Sequence, residues 1–212
     1  MAKQLIKGVI GSLEIAVNEI NPTAPYVVVC HPHPLYGGTM DNKVVTMTAK
    51  AYEDLGCNSI RFNYRGVGES DGIYGKSLGE VADALAIVTW LNKEKAVTTL
   101  YFAGFSFGAY IAAQAASDTQ AQSQMEVRHL LMIAPSVLNS PFENVTPISL
   151  DTTIIMGDAD EVVPYGDVRA WAEQQYPPLE MITMEGAGHF FHGRLTELKQ
   201  QIKRLFNTEK LG

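Results

Sequence analysis

The sequence predicts an α/β domain: a mostly parallel sheet with an antiparallel N-terminal edge and helices on both faces. Three observations carry that prediction. From residue 26 onward, short apolar runs alternate with helical patterns, the arrangement that lays helices over a parallel sheet. Before them, Gln4–Ile10 and Leu13–Val17 read as two strands joined at Gly11-Ser12, a hairpin edge. The loops richest in Gly, Pro, His and Asp all follow strands, where ligand chemistry sits in such sheets. The 212 residues fit one domain, 1–212, with no internal repeat and no dividing linker.

Taken in order, Tyr26–Cys30 is a continuous apolar run and so a buried strand. His31-Pro32-His33-Pro34-Leu35-Tyr36-Gly37-Gly38 holds too much Pro and Gly for regular structure and is a rigid loop. Asp41 or Asn42 can cap a helix running to about Leu55, with Gly56 as its stop. Asn58–Tyr64 is a strand, followed by the glycine-rich loop 65–72. Ser77–Lys95 is a helix with Val81, Leu85, Val88 and Leu91 on one face. Thr98–Ala103 is a strand, and Phe107–Ser117 a helix. Val127–Ile133 and Thr152–Met156 are strands, Asp167–Tyr176 a helix, Leu179–Met184 the last strand and Leu195–Phe206 a closing amphipathic helix.

Composition narrows the function classes. Apolar content of 46% and charged content of 18% describe an ordinary globular protein. A net charge of -7 argues against nucleic acid or an anionic membrane as the main partner. No stretch approaches the roughly eighteen apolar residues of a membrane span. The first ten residues carry charge and no continuous apolar region, so no signal peptide is expected. Cys30 and Cys57 lie in strand-like segments and read as buried free thiols. Together these point to the cytoplasm.

The chemistry centres on Gly104-Phe105-Ser106-Phe107-Gly108, a G-x-S-x-G in strand–turn–helix context. Such a turn lifts a serine hydroxyl above the sheet. Its glycines are needed where strand and helix close on each other and a Cβ has no room. A serine hydroxyl is a poor nucleophile until a base, a group orienting that base and donors for an oxyanion surround it. In the order Ser…Asp…His, the chain offers Ser106, then Asp160 or Asp158, then His189, each after a predicted strand. His31 and His33 form an H-x-H, but two histidines are too few for a metal site, and no cofactor is called for. His129 enters a strand and reads as structural. His192 starts the last helix and reads as a surface or capping residue.

These segments resemble the α/β-hydrolase superfamily: G-F-S-F-G, M-G-D-A-D-E-V-V-P and G-A-G-H-F-F in that order, with R-F-N-Y-R-G-V-G-E-S-D-G matching the loop after its fourth strand. H-P-H-P-L-Y-G-G narrows the resemblance to the compact, lidless bacterial branch of serine hydrolases and esterases, and the resemblance as a whole runs over residues 5–206. The resemblance implies Ser106 as nucleophile, His189 as general base and acid, and Asp160 as the carboxylate that holds the imidazole. In the superfamily one residue separates this acid from the Val-Val-Pro, which selects Asp160. Asp158 then becomes a turn-forming or capping carboxylate. The oxyanion hole would take the N–H of Phe107 and one N–H from the loop after the third strand. Pro32 and Pro34 have none to give, so His33 is preferred, with Leu35 or Tyr36 as alternatives.

Between Ser136 and Thr152 lie about fifteen residues, too few for a cap domain. An open, shallow site is therefore expected, walled by Leu35, Tyr36, Phe105, Phe107, Val162, Phe190 and Phe142. Such a rim suits small or short-chain carboxylic esters or thioesters, cleaved through an acyl-enzyme. Arg65 could grip a carboxylate or organise its loop. A peptidase or acyltransferase with the same triad, or a non-catalytic binding protein on the same fold, are the competing readings.

Overall fold

A computed structural model of the protein describes residues 3–123, 125–146 and 148–206. The single-domain expectation also spans the ends of the chain, which lie outside the described residues. Among these residues eight strands form one sheet: β1 (Lys3–Lys7), β2 (Ser12–Asn18), β3 (Tyr26–Cys30), β4 (Asn58–Phe62), β5 (Thr99–Phe105), β6 (Glu126–Ile133), β7 (Thr152–Gly157) and β8 (Glu180–Met184). Their order is β1-β2-β4-β3-β5-β6-β7-β8. The β1–β2 and β2–β4 pairs are antiparallel and all the others parallel. Among the described residues five α-helices flank the sheet, α1 (Lys43–Asp54), α2 (Leu78–Lys95), α3 (Phe107–Gln122) and α4 (Tyr165–Glu173) between strands and α5 (Leu195–Leu205) after β8.

The chain steps from β3 to β4 in one direction and then from β4 across to β5 on the far side of β3. Because parallel crossovers are right-handed, α1 covers one face of the sheet and α2 the other. Accordingly α1 packs with α5, and α2 with α3. The reversal opens a crevice at the carboxyl ends of β3 and β5, the place where open α/β sheets bind ligands. Register aligns its rims. Cys30 pairs with Gly104, Phe105 with Ile133, and Gly157 with Met184, so the loops after β3, β5, β6, β7 and β8 leave the sheet side by side.

Burial follows the sequence patterns. β3 is buried at every position, as a two-sided central strand must be. β4 is equally buried despite Asn58, Ser59 and Arg61, because each has partners. Asn58 Oδ1 accepts the Ile20 amide at 2.7 Å, Ser59 Oγ donates to Glu53 at 2.7 Å, and Arg61 donates to the Met40 carbonyl at 2.5 Å. Asn42 caps α1 by accepting the Val44 amide at 2.8 Å. Glu80, in the first turn of α2, accepts the amides of Ser77 and Gly75 at 2.8 and 2.7 Å.

Several boundaries differ from the sequence expectation. β1 stops at Lys7, because the Gly8 amide donates to the Gly11 carbonyl and closes the turn. Val9 and Ile10 therefore sit exposed in that turn and not in a strand. β4 ends at Phe62, since Asn63 and Tyr64 leave the ladder to bond to neighbouring loops. α4 begins at Tyr165, directly after the φ-fixed Pro164, and is over before Pro177 and Pro178. α3 extends to Gln122, further than expected, as its alanine-rich pattern permits.

Candidate active site

Ser106 stands between the last residue of β5 and the first of α3 with φ 56° and ψ −117°. The left-handed value of φ is uncommon for a residue with a side chain and points to a turn held under constraint. The constraint is visible in the two flanking glycines. A Cβ on Gly104 would lie 2.0 Å from the Gly108 carbonyl oxygen, and one on Gly108 would lie 2.4 Å from that of Cys30. Strand, helix and the end of β3 therefore touch backbone to backbone. The Ser106 amide donates to Ile133 O at 2.9 Å, which ties the turn to β6.

The loops after β7 and β8 complete the constellation. His189 Nε2 lies 3.1 Å from Ser106 Oγ, and His189 Nδ1 lies 2.8 Å from Asp160 Oδ2. Asp160 Oδ1 accepts the amides of Val162 and Val163 at 2.9 and 2.7 Å, so the carboxylate is fixed from behind. Both the His189 and Asp160 side chains are buried, while Ser106 remains 9% exposed. With Asp160 accepting at Nδ1, the neutral ring carries its proton there and presents Nε2 as an acceptor to the serine hydroxyl.

Asp158 is placed elsewhere. Its Oδ1 accepts the Gly186 amide at 2.6 Å and joins the β7 and β8 loops. Sequence reasoning passed over Glu161, whose Oε2 accepts the His189 amide at 3.0 Å and anchors the backbone of the histidine loop. The bond spans 28 positions, and no motif announces it.

The loop after β3 lies beside the serine. His31 is buried, and both of its ring nitrogens are engaged: Nδ1 with the Pro32 carbonyl at 2.7 Å, and Nε2 accepting the Tyr64 amide at 3.2 Å. The Tyr64 hydroxyl donates to the His31 carbonyl at 3.0 Å, a second clasp that sequence reasoning missed. In the rest of the loop, Leu35 donates to His33 Nδ1, Tyr36 and Gly38 to the His33 carbonyl, and Gly37 to the Pro34 carbonyl. From Pro32 to Gly38, these bonds and the two prolines leave the His33 amide as the N–H not committed within the loop. Its ring lies 4.6 Å, centroid to centroid, from that of Phe107.

Burial lowers the pKa of His31 from 6.5 to about 3. Its folded value is depressed, so the stabilisation is full above the unfolded value and is lost as pH falls through 6.5 towards 3. That displacement corresponds to roughly 5 kcal/mol. We expect the unfolding free energy of the wild type, from urea titrations at a series of pH values, to fall more steeply with acid below pH 6.5 than that of His31→Gln. Parallel curves would contradict this.

The predicted rim is only partly a rim. Leu35, Tyr36, Val162 and Phe190 are exposed on the loops after β3, β7 and β8. Phe105 is not part of it. As the last residue of β5 it is 0% exposed, stacked under the His189 ring at 5.0 Å with Phe190 against its edge. Phe142 is likewise buried, between Tyr110 and Trp171, and pins the β6–β7 connection to α3 and α4. Phe107 is buried among His33, Tyr64 and Tyr74. Ile73 and Leu138 are also exposed, on the loops after β4 and β6.

Other singled-out residues hold structure. Arg65 makes two bonds to the buried Asp83, at 3.0 and 2.7 Å, and organises its loop. His129 Nε2 lies 3.0 Å from Thr153 Oγ1, and His192 is exposed before α5. A cavity of about 660 Å³ at the amino ends of β5–β8, lined in part by Tyr101, Thr153 and Phe206, is remote from Ser106.

A family model described as alpha/beta hydrolase fold matches residues 27–150, and the chain belongs to the α/β-hydrolase superfamily. Its architecture is that of the lidless branch. An alpha-beta serine hydrolase homologue from Coxiella burnetii superposes with a TM-score of 0.89 at 41% identity, covering 97% of each chain. A serine hydrolase without lid from Xanthomonas campestris gives 0.88 at 35% identity, covering 97% of this chain and 93% of that one. An uncharacterized protein of Rickettsia prowazekii is 36% identical over 86% of this chain and 78% of its own length. These relationships support a hydrolase. Among the described residues no helix is long and apolar enough to cross a membrane.

Proposed function

We propose that the protein is a carboxylesterase-like serine hydrolase acting on small or short-chain carboxylic esters or thioesters through an acyl-enzyme. One observation carries this reading: the continuous relay from Ser106 Oγ to His189 Nε2 at 3.1 Å and from His189 Nδ1 to Asp160 at 2.8 Å. Ser106 Oγ attacks the carbonyl carbon as its proton passes to His189 Nε2. Asp160 keeps the other ring proton at Nδ1 and stabilises the imidazolium. The amides of Phe107 and His33 receive the oxyanion, each donor contributing roughly 3–4 kcal/mol in comparable sites. As the tetrahedral species collapses, the bond to the leaving oxygen or sulfur breaks and His189 returns the proton to it. Water, deprotonated by the same ring, then releases the acid and restores the serine.

The open rim of Leu35, Tyr36, Val162 and Phe190 supports short acyl groups over long lipids. Cys30 and Cys57 are free and buried, their thiols pushed up to about 12 and about 11 by burial, which suits the reducing cytoplasm. Kinetics on a panel of p-nitrophenyl acetate, butyrate and palmitate, an acyl-CoA and an aminoacyl amide test the substrate class. The reading expects kcat/KM to be highest on the short acyl esters or thioesters. Preference for palmitate or for the amide would contradict it.

A further inference from the structure

The His33 amide makes no bond within its own loop, and its side chain has a separate task. It is the N-cap of the short 3₁₀ turn Pro34–Tyr36, and its Nδ1 accepts the Leu35 amide at 3.2 Å. The turn's other bonds run backbone to backbone, among them Gly37 donating to the Pro34 carbonyl. Neither Pro32 nor Pro34 can donate, and the Tyr36 and Gly38 amides return to the carbonyl of His33 itself. The ring is also wedged between Tyr36, Tyr74 and Phe107, with centroids at 5.0, 5.0 and 4.6 Å. The side chain thus links the β3 loop, the β4 loop and the first residue of α3.

We propose that the neutral imidazole of His33 is a positioning residue: by accepting the Leu35 amide it holds the His33 N–H at the angle needed to receive an oxyanion, and its protonation releases that hold. This rests on the serine-hydrolase reading. A protonated Nδ1 is a donor and cannot accept the Leu35 amide. Burial lowers the pKa of His33, so the neutral form prevails through the neutral range. The titratable groups around it are Glu80 on α2, whose charge opposes that shift, His31 in the same loop, Tyr36 on the turn and Tyr74 on the β4 loop. Acidification then acts on the cap at His33.

Two variants separate the cap from the packing. Asn is a favoured N-cap and can accept the same amide without titrating, whereas Phe keeps the ring packing and cannot accept. On a p-nitrophenyl ester, His33→Phe is expected to lower kcat about tenfold or more at nearly unchanged KM. His33→Asn should keep kcat within about threefold of wild type at neutral pH. The acid limb of log kcat against pH should be steeper in the wild type than in His33→Asn, which has lost one ionisation. Urea unfolding of each variant checks that folding is intact. A Phe variant as fast as wild type, an Asn variant as slow as Phe, or equal acid limbs in wild type and Asn would overturn the proposal. Hydrolysis that survives Ser106→Ala would instead overturn the reading beneath it.

Discussion

Replacing His189 by alanine is expected to lower kcat for ester hydrolysis by roughly 10⁴–10⁶-fold while KM changes little. The side chain is buried and touches both Ser106 and Asp160, so its loss removes the acceptor for the serine proton and the donor for the leaving group together. A pure packing defect would not give this pattern, because the ring's neighbours Phe105 and Phe190 stay in place. Asp160→Asn should cost about 10⁴-fold, since an amide at that position favours the wrong imidazole tautomer. Removing both groups should cost no more than removing His189 alone, because they act as one unit. Steady-state kinetics of the three variants, alongside urea unfolding, checks the expectation. A His189→Ala enzyme within about tenfold of wild type would contradict it.

The second large effect is on the turn that holds the serine. Gly108→Ala is expected to destabilise the protein by about 3 kcal/mol or more and to reduce turnover in the fraction that folds. The added methyl would sit 2.4 Å from the Cys30 carbonyl oxygen and 2.5 Å from that of His31. Both are backbone atoms at the carboxyl end of β3, so no side chain can swing aside. Relief requires α3 and the β3 loop to part, which separates the amides of Phe107 and His33. Gly166, inside α4, is the matched control, because a Cβ there meets nothing within 4 Å. Gly166→Ala should be neutral or stabilising by up to about 1 kcal/mol, the helix preference of alanine over glycine. Chemical denaturation of both variants is the measurement, and equal stability of the two would contradict the account.

Much of the architecture was legible in the sequence, because it rests on local signals: the buried run Tyr26–Cys30, the Gly104–Gly108 turn, a helix cap at Asp41 or Asn42 and the alternation that implies a parallel sheet. The order of the loops also brought Ser106, Asp160 and His189 to one edge, since all three follow parallel strands. What was not legible depends on which way a side chain turns at a boundary. Phe105 precedes the serine and looks like a wall of the site, yet its place in the strand directs it beneath the His189 ring. Val9 and Ile10 look like strand and are turn, because two glycines close the hairpin around them. Tyr64 and Glu161 act through single bonds to distant backbone, at His31 and His189, and such bonds leave no periodic trace. Asp83 is similar: its partner Arg65 was noticed, but the buried carboxylate eighteen positions on was not.

The most direct test is covalent. The protein should be incubated with a fluorophosphonate probe, digested and mapped by mass spectrometry, in parallel with His189→Ala. The account predicts a single adduct on Ser106 in the wild type and its loss in the variant. An adduct on another residue, no adduct at all, or equal labelling of Ser106 without His189 would contradict it.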